Sequence, residues 1–221
     1  MSEDKRATAR ELANQHLAQN DPLGWFEKLY ALADSNPTLI PWADLAPNPN
    51  LLSWLNKQTV AGSGKKALKI GCGLGDDAEE LSRRGFETTA FDISLTAISW
   101  CHKRFPHTRV QYVVENLFNA PDCWISGFDF VVEAYTLQVL PEDLQRNAIR
   151  IISEFVKPGG TLLVLTRGRD KDDPAGKMPW PLTHDTLSRF KGCGLAESLF
   201  EDYMDDEQPP VRRFRVSYTK K

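Results

Sequence analysis

The feature that most constrains this chain is a glycine run, Gly71-Cys72-Gly73-Leu74-Gly75, placed between an apolar run and an acidic helical one. Ala67-Leu68-Lys69-Ile70 reads as a strand that stops at the first glycine. Asp76 to Arg84 reads as a helix closed by Gly85. Glycines between a strand and a helix permit a sharp turn and let backbone approach a ligand closely. Asp92 ends the next strand-like run, Thr88 to Asp92, and lies 21 positions after Gly71. In open α/β sheets a carboxylate near that spacing accepts hydrogen bonds from ribose hydroxyls. The pair therefore predicts an adenosine-bearing ligand.

The rest of the chain predicts the same class of fold. Ser94 is a fitting N-cap for a helix over Leu95 to Phe105, which Pro106 stops. Val110–Val114, Phe128–Glu133 and Thr161–Leu165 read as further strands, with Pro158-Gly159-Gly160 as the turn before the last of these. A helix opens at Pro141 and runs to Val156, its apolar residues near helical spacing. This alternation implies a parallel sheet with helices on both faces. The tail departs from it. After a short helix over Thr183 to Lys191, Leu195–Phe200 and Val211–Tyr218 read as a pair of strands. In the second, Phe214, Val216 and Tyr218 alternate with Arg213, Arg215 and Ser217, the mark of a half-buried strand with its arginines in solvent. Residues 1–60, with turn-rich prolines and Trp25, Phe26, Tyr30, Trp42 and Trp54, read as a helical cap or lid. Residues 61–221 read as the core, the whole forming one structural domain.

Which adenosine ligand is a separate question. One register later, Gly73-Leu74-Gly75-Asp76-Asp77-Ala78 also fits the dinucleotide pattern G-x-G-x-x-G/A. A dinucleotide rests its pyrophosphate on the helix N-terminus, where free N–H groups favour an anion. Asp76 and Asp77 occupy that end, satisfy the helix dipole and repel phosphate. A ligand without phosphate suits the site better, and an NAD(P)-binding oxidoreductase stays as the alternative.

From Ala67 to Arg167 the chain resembles the class I S-adenosylmethionine-dependent methyltransferases. The likeness is carried by the glycine run, by Phe91-Asp92-Ile93-Ser94, by Phe128-Asp129-Phe130-Val131-Val132-Glu133 and by Val156-Lys157-Pro158-Gly159-Gly160-Thr161. It implies a Rossmann-like, seven-stranded, mostly parallel sheet whose last strand is antiparallel. It also implies S-adenosylmethionine as cofactor, held by Gly71, Cys72, Gly73, Gly75, Asp92, Ile93, Asn116, Leu117 and Glu133. A narrower resemblance, to the thiopurine S-methyltransferase-like branch, rests on Ile40-Pro41-Trp42-Ala43-Asp44, on the glycine run with Asp76-Asp77, and on Arg167-Gly168-Arg169-Asp170. It implies that Trp42 covers the cofactor. Two positions depart from the class I pattern. Lys69-Ile70 stands where an acidic residue usually precedes the glycines, and Glu115-Asn116-Leu117 follows the third strand, where Asn116 still offers a carbonyl to an adenine amine.

Ligands on open sheets bind at the carboxyl ends of strands. Tyr135 after the fourth strand and Arg167 after the fifth are therefore the catalytic candidates, and Arg169 and Trp25 the substrate-binding ones. The competing reading for the arginines is ion pairing with Asp170, Asp172 or Asp173. For Trp25, Phe26 and Tyr30 it is ordinary core packing. Cys72 has no nearby histidine and reads as a packing residue. Transfer of methyl from a sulfonium is an in-line displacement in which the protein mainly orients and excludes, so a soft acceptor needs no general base.

Composition narrows the partners. A net charge of −3 over 221 residues argues against a nucleic-acid footprint, and no apolar run is long enough to span a bilayer. The expected partner is a small-molecule acceptor, with no nucleic acid and no membrane, in a monomer or homodimer. Four scattered cysteines without a C-x-x-C pair and four scattered histidines predict a reduced, cytoplasmic protein without a structural metal. A module that binds the cofactor without turning it over is the second alternative.

Overall fold

The computed structural model describes residues 2–221, with side chains from Arg6 onward. Its centre is a seven-stranded sheet built from β1 (Lys66–Ile70), β2 (Glu87–Asp92), β3 (Gln111–Val114), β4 (Phe128–Ala134), β5 (Val156–Arg167), β6 (Leu195–Met204) and β7 (Arg212–Lys220). The strand order is β3-β2-β1-β4-β5-β7-β6. The first five strands run parallel, and β7 is antiparallel to both β5 and β6. The fold is the expected Rossmann-like one with an antiparallel last strand.

Helices cover both faces because both faces of the parallel strands are apolar. On one face lie α3 (Pro49–Lys57), α4 (Asp76–Arg83) and α5 (Leu95–Arg104). Trp54 of α3 stacks on Phe130 with ring centroids 5.5 Å apart, and Leu51, Leu55 and Leu81 pack around them. On the other face lie α6 (Glu142–Phe155) and α7 (His184–Gly192), whose Ile149, Ile152, Phe155 and Phe190 meet Leu68, Val131, Leu162 and Tyr218. The N-terminal helices α1 (Ser2–Ala18) and α2 (Gly24–Ala33) dock on the edge of this assembly. Glu27 of α2 accepts hydrogen bonds from Ser94 Oγ, Thr96 N and Thr96 Oγ1, so its carboxylate sits on the N-terminus of α5, where negative charge is favoured. Arg10 of α1 donates to the Met178 carbonyl. No helix among the described residues is long and apolar enough to cross a membrane.

Four elements differ from the sequence reading. Pro158-Gly159-Gly160 does not end an element. Val156 already pairs with Phe128 and Thr161 pairs with Phe130, so the Pro-Gly-Gly segment is an irregularity inside β5. Pro141 is the N-cap of α6 rather than its first residue. The last two strands are longer than read, and β7 is interior, between β5 and β6. An interior strand has no solvent face at its centre. Arg213 and Arg215, expected in solvent, are only 5% and 3% exposed.

The turn after β4 hangs on one buried carboxyl. Glu133 Oε1 accepts from Thr136 N at 2.7 Å and Leu137 N at 2.9 Å, which organises the short 3-10 turn Leu137–Val139. Its Oε2 is buried without a partner. Burial outweighs the two amide bonds and the nearby Lys69, and the pKa is pushed up to about 7 from 4.5. A folded-state value above the unfolded one means that the folded protein binds the extra proton. The contribution of this carboxyl to stability is therefore full below pH 4.5 and is lost as pH rises through 7. We predict that Glu133→Gln flattens this fall, gaining on the order of 3 kcal/mol relative to the native chain between pH 5 and pH 8. Urea unfolding at both pH values measures it, and parallel losses in the two proteins would refute the assignment.

Candidate functional site

A cavity of about 1290 Å³ opens at the carboxyl ends of β1, β2, β4 and β5. It lies where the strand order reverses between β1 and β4, the place at which open α/β sheets bind ligands.

The glycine loop forms its floor. Gly71 and Gly73 both have φ of +54°, a conformation that side-chain-bearing residues rarely take. A Cβ on Gly73 would also stand 3.2 Å from the Tyr30 hydroxyl. The loop is held by Asp92. Its Oδ2 accepts from Gly73 N at 2.9 Å and its Oδ1 from Ser94 N at 3.0 Å. Burial pushes the Asp92 carboxyl up, and those two amides together with Lys69 oppose it. Gly75 has turned away from the cavity. It faces β3 and α5, where a Cβ would collide with the Tyr112 hydroxyl. Cys72 is buried in the loop, with its thiol pushed well up by burial and by Cys101, a setting that disfavours the thiolate.

Lys69 was not singled out as a site residue and is the main charge under the loop. It is 2% exposed, donates to the Ile70 carbonyl at 2.9 Å and stands 3.8 Å from Asp77 Oδ2. Asp76 is likewise held, by both arms of Arg104 at 2.7 Å. The acidic end of α4 is thus a paired network, and its repulsion of phosphate is softer than two bare carboxylates would exert. Burial raises the Asp77 carboxyl against the pull of Lys69.

Ile93, Asn116 and Leu117 line the next stretch of wall. Asn116 Oδ1 already accepts from Phe118 N at 2.9 Å and caps a 3-10 turn, leaving the second lone pair of that carbonyl. Glu133 does not reach the cavity. It acts one layer below, through the turn described above.

Aromatic residues of the N-terminal region close one side. Trp42 Nε1 donates to the Tyr30 hydroxyl at 2.8 Å, and Trp42 meets Trp25 and Tyr30 edge-on at 6.1 Å. Trp25 and Tyr30 are buried and pack with Leu29, Ile40 and Trp100, whereas Trp42 stays 39% exposed over the cavity. Core packing and cavity lining are therefore the same act for Trp25, which stacks on Phe26 at 4.0 Å.

The far end is polar. Tyr135 has φ of +65°, a strained setting for a tyrosine that costs about 1–3 kcal/mol and is typical of functional sites. Its hydroxyl accepts from Asn50 Nδ2 at 3.0 Å, and Asn50 Oδ1 accepts from the Tyr203 hydroxyl at 2.7 Å. Burial raises the Tyr135 phenol, opposed by Arg213, whose guanidinium lies 5.0 Å from the ring centre. Arg167 lines this end. Arg169 does not. Its guanidinium is spent on the carbonyls of Pro181, Asp170, Lys171 and Asp173, which shapes the loop after β5. Asn50, Tyr203 and Arg213 escaped the sequence reading because they come from three separate elements with no shared motif. The only signal was the arginine alternation in β7, read there as a solvent face.

Residues 67–160 match the model of a methyltransferase domain. Ubiquinone biosynthesis O-methyltransferases are similar over 56% of the chain. The protein from Erwinia tasmaniensis is 26% identical over 125 residues, covering 56% of this chain and 51% of its own length. The one from Xanthomonas campestris pv. campestris is 31% identical over 126 residues, covering 56% and 52%. The match thus spans about half the length of these relatives. Among solved structures, N-methyltransferase NodS from Bradyrhizobium japonicum in complex with S-adenosyl-l-homocysteine superposes with a TM-score of 0.69 at 20% identity, over 88% of this chain and 97% of that one. The 1,6-didemethyltoxoflavin-N1-methyltransferase from Burkholderia thailandensis, with bound 1,6-didemethyltoxoflavin and S-adenosylhomocysteine, gives 0.69 at 15% identity, over 88% and 85%. Residues 67–160 thus resemble a methyltransferase domain, within a fold of the Rossmann-like kind that these structures share.

Proposed function

We propose that the chain is an S-adenosylmethionine-dependent methyltransferase for a small molecule, with a thiol or similarly soft atom as acceptor. The observation that carries this reading is the pairing of the glycine loop with Asp92 at the mouth of a large cavity on the β1–β4 switch point. The donor set suits the group. Asp92 keeps free lone pairs for ribose hydroxyls beside the two amides it accepts. The backbone at Gly71, Cys72 and Gly73 permits close approach of the amino-acid end, and Ile93, Asn116 and Leu117 supply a slot for a purine. Among the described residues, no arginine or lysine stands at the start of α4 as a free phosphate ligand, since Arg104 and Lys69 are each paired with an acid there. The bound cofactor supplies an electrophilic methyl group on a sulfonium.

The protein's own residues then have four tasks in this reading. Asp92 and the glycine loop orient the cofactor. Trp42, with Trp25 and Tyr30 behind it, excludes water from the methyl group. Gly75 and Glu133 act indirectly, by shaping the loop and the turn. Tyr135 and Arg167 face the acceptor and align it, which is where an in-line displacement gains most. A soft acceptor fits because Tyr135 has its phenol pushed up by burial and is poorly suited to take a proton. The thiopurine-like resemblance of the Trp42 and Arg167 segments favours the same class.

Calorimetry with S-adenosylmethionine, S-adenosylhomocysteine and NADH tests the cofactor. We expect both adenosyl ligands to bind and NADH not to; NADH alone would instead support the dinucleotide register. Asp92→Asn should weaken S-adenosylhomocysteine at least about tenfold, the scale of one lost charged hydrogen bond. Trp42→Ala should weaken it and lower turnover in an acceptor screen that starts with thiols. Unchanged affinity and turnover would remove Trp42 from the site. Tight binding without product across a broad screen would identify a non-catalytic binding module.

A further inference from the structure

The acceptor end of the cavity carries one guanidinium, that of Arg167, that no ion pair among the described residues holds. In the antiparallel ladders Arg167 of β5 stands directly opposite Arg213 of β7, and Arg213 stands opposite Tyr203 of β6. Arg215 lies two residues along β7, on the same face. Like charges directly opposite across an antiparallel pair are destabilising. Two of the three arginines are neutralised. Arg213 bonds to Asp205 Oδ2 at 2.6 Å and to Glu207, and Arg215 bonds to Glu201 and to the Asn50 carbonyl. Arg167 has no ion pair and no side-chain hydrogen bond among the described residues. It is half-buried and lines the cavity beside Tyr135. Burial, Arg6 and Arg213 act against its charged form, and Glu207 and Tyr135 favour it. A solvated surface arginine would carry no such penalty, and a packing role would be served by an uncharged side chain.

We propose that the methyl acceptor is a small carboxylate-bearing molecule, its carboxylate held by the open fork of Arg167 with the rest of the molecule against Tyr135. This deepens the methyltransferase reading and rests on it for the word acceptor. A guanidinium matches a carboxylate with two parallel N–H···O bonds, which fixes orientation as well as position. A monoanion fits better than a phosphate. One fork is free, and Asp205, Asp206 and Glu207 line the same end of the cavity and oppose a second negative charge. The carboxylate is the handle, and the methylated atom is a separate group on the same molecule.

The test uses the full chain with acetate, benzoate and 2-mercaptobenzoate, each beside its neutral amide, at constant ionic strength. Melting temperature is followed with and without S-adenosylhomocysteine. We expect at least one carboxylate to raise Tm where its amide does not, and Arg167→Gln to weaken that carboxylate at least about tenfold. Arg167→Lys keeps the charge without the fork and should retain part of the shift. The proposal is overturned if no carboxylate raises Tm, if the amide matches it, or if Arg167→Gln or Arg167→Lys leaves the shift intact. Calorimetry of the same proteins with S-adenosylhomocysteine separates the two readings. Loss of the carboxylate response with S-adenosylhomocysteine affinity intact in Arg167→Gln supports the handle. Failure of the native chain to bind S-adenosylhomocysteine would sink the cofactor reading, whichever way the carboxylate result falls.

Discussion

The carboxylate of Asp92 is the joint on which the site depends. It ends β2, yet its two oxygens accept from Gly73 N in the preceding loop and from Ser94 N in the following one. One residue therefore fixes the glycine loop, the start of α5 and the spacing between them. Ser94 in turn caps α5 through Ala97 N and donates to Glu27, which ties α2 to the same corner. Both cavity walls nearest the loop trace back to this carboxylate. That is the physical sense of the 21-residue spacing from Gly71 to Asp92: it spans one turn, one helix and one strand, which returns the chain to the adjacent strand end.

How much could be read beforehand follows the range of the interactions involved. The alternation of apolar runs with Gly, Pro and Ser signals is local, and it located six of the seven strands to within a few residues. The exception, β5, is longer because its Pro-Gly-Gly irregularity lies inside the ladder rather than before it. The place of β7 was not readable. A strand with alternating Arg and apolar residues looks the same at a sheet edge and in an interior, and only the pairing of β7 with both β5 and β6 decides. The mistake about Arg213 and Arg215 is a direct consequence. Side chains that alternate across an interior strand point to two covered faces, so their charges must find partners, and Glu201, Asp205 and Glu207 of β6 and the loop after it supply them.

The same distinction separates the candidate site residues. Gly71, Gly73, Asp92 and Trp42 lie in or beside short motifs and gather at the cavity. Arg169 was close in sequence to Arg167 but points elsewhere, because β5 ends at Arg167 and Arg169 lies in the loop beyond, whose carbonyls its guanidinium serves. Asn50 shows the reverse. It lies far in sequence from Tyr135, Tyr203 and Arg215, yet it bonds to all three and thereby holds α3 against the acceptor end.

Lys69 resolves the oddest feature of the sequence, a base at the strand end where the class I pattern has an acid. Three carboxyls, two of them buried, surround that position: partly exposed Asp77 from α4, and Asp92 from β2 and Glu133 from β4. Lys69 lowers the pKa of each, against the burial that raises it. A carboxylate at residue 69 would add a fourth like charge to a region already short of solvent, and none of the four could ionise without strong cost. With lysine there, one ammonium serves three acids, and its own donors reach the Ile70 and Gly71 carbonyls at the start of the loop. The pairing of Lys69 with Asp77 of α4 keeps opposite charges in contact beneath the loop while leaving Asp92 to organise it.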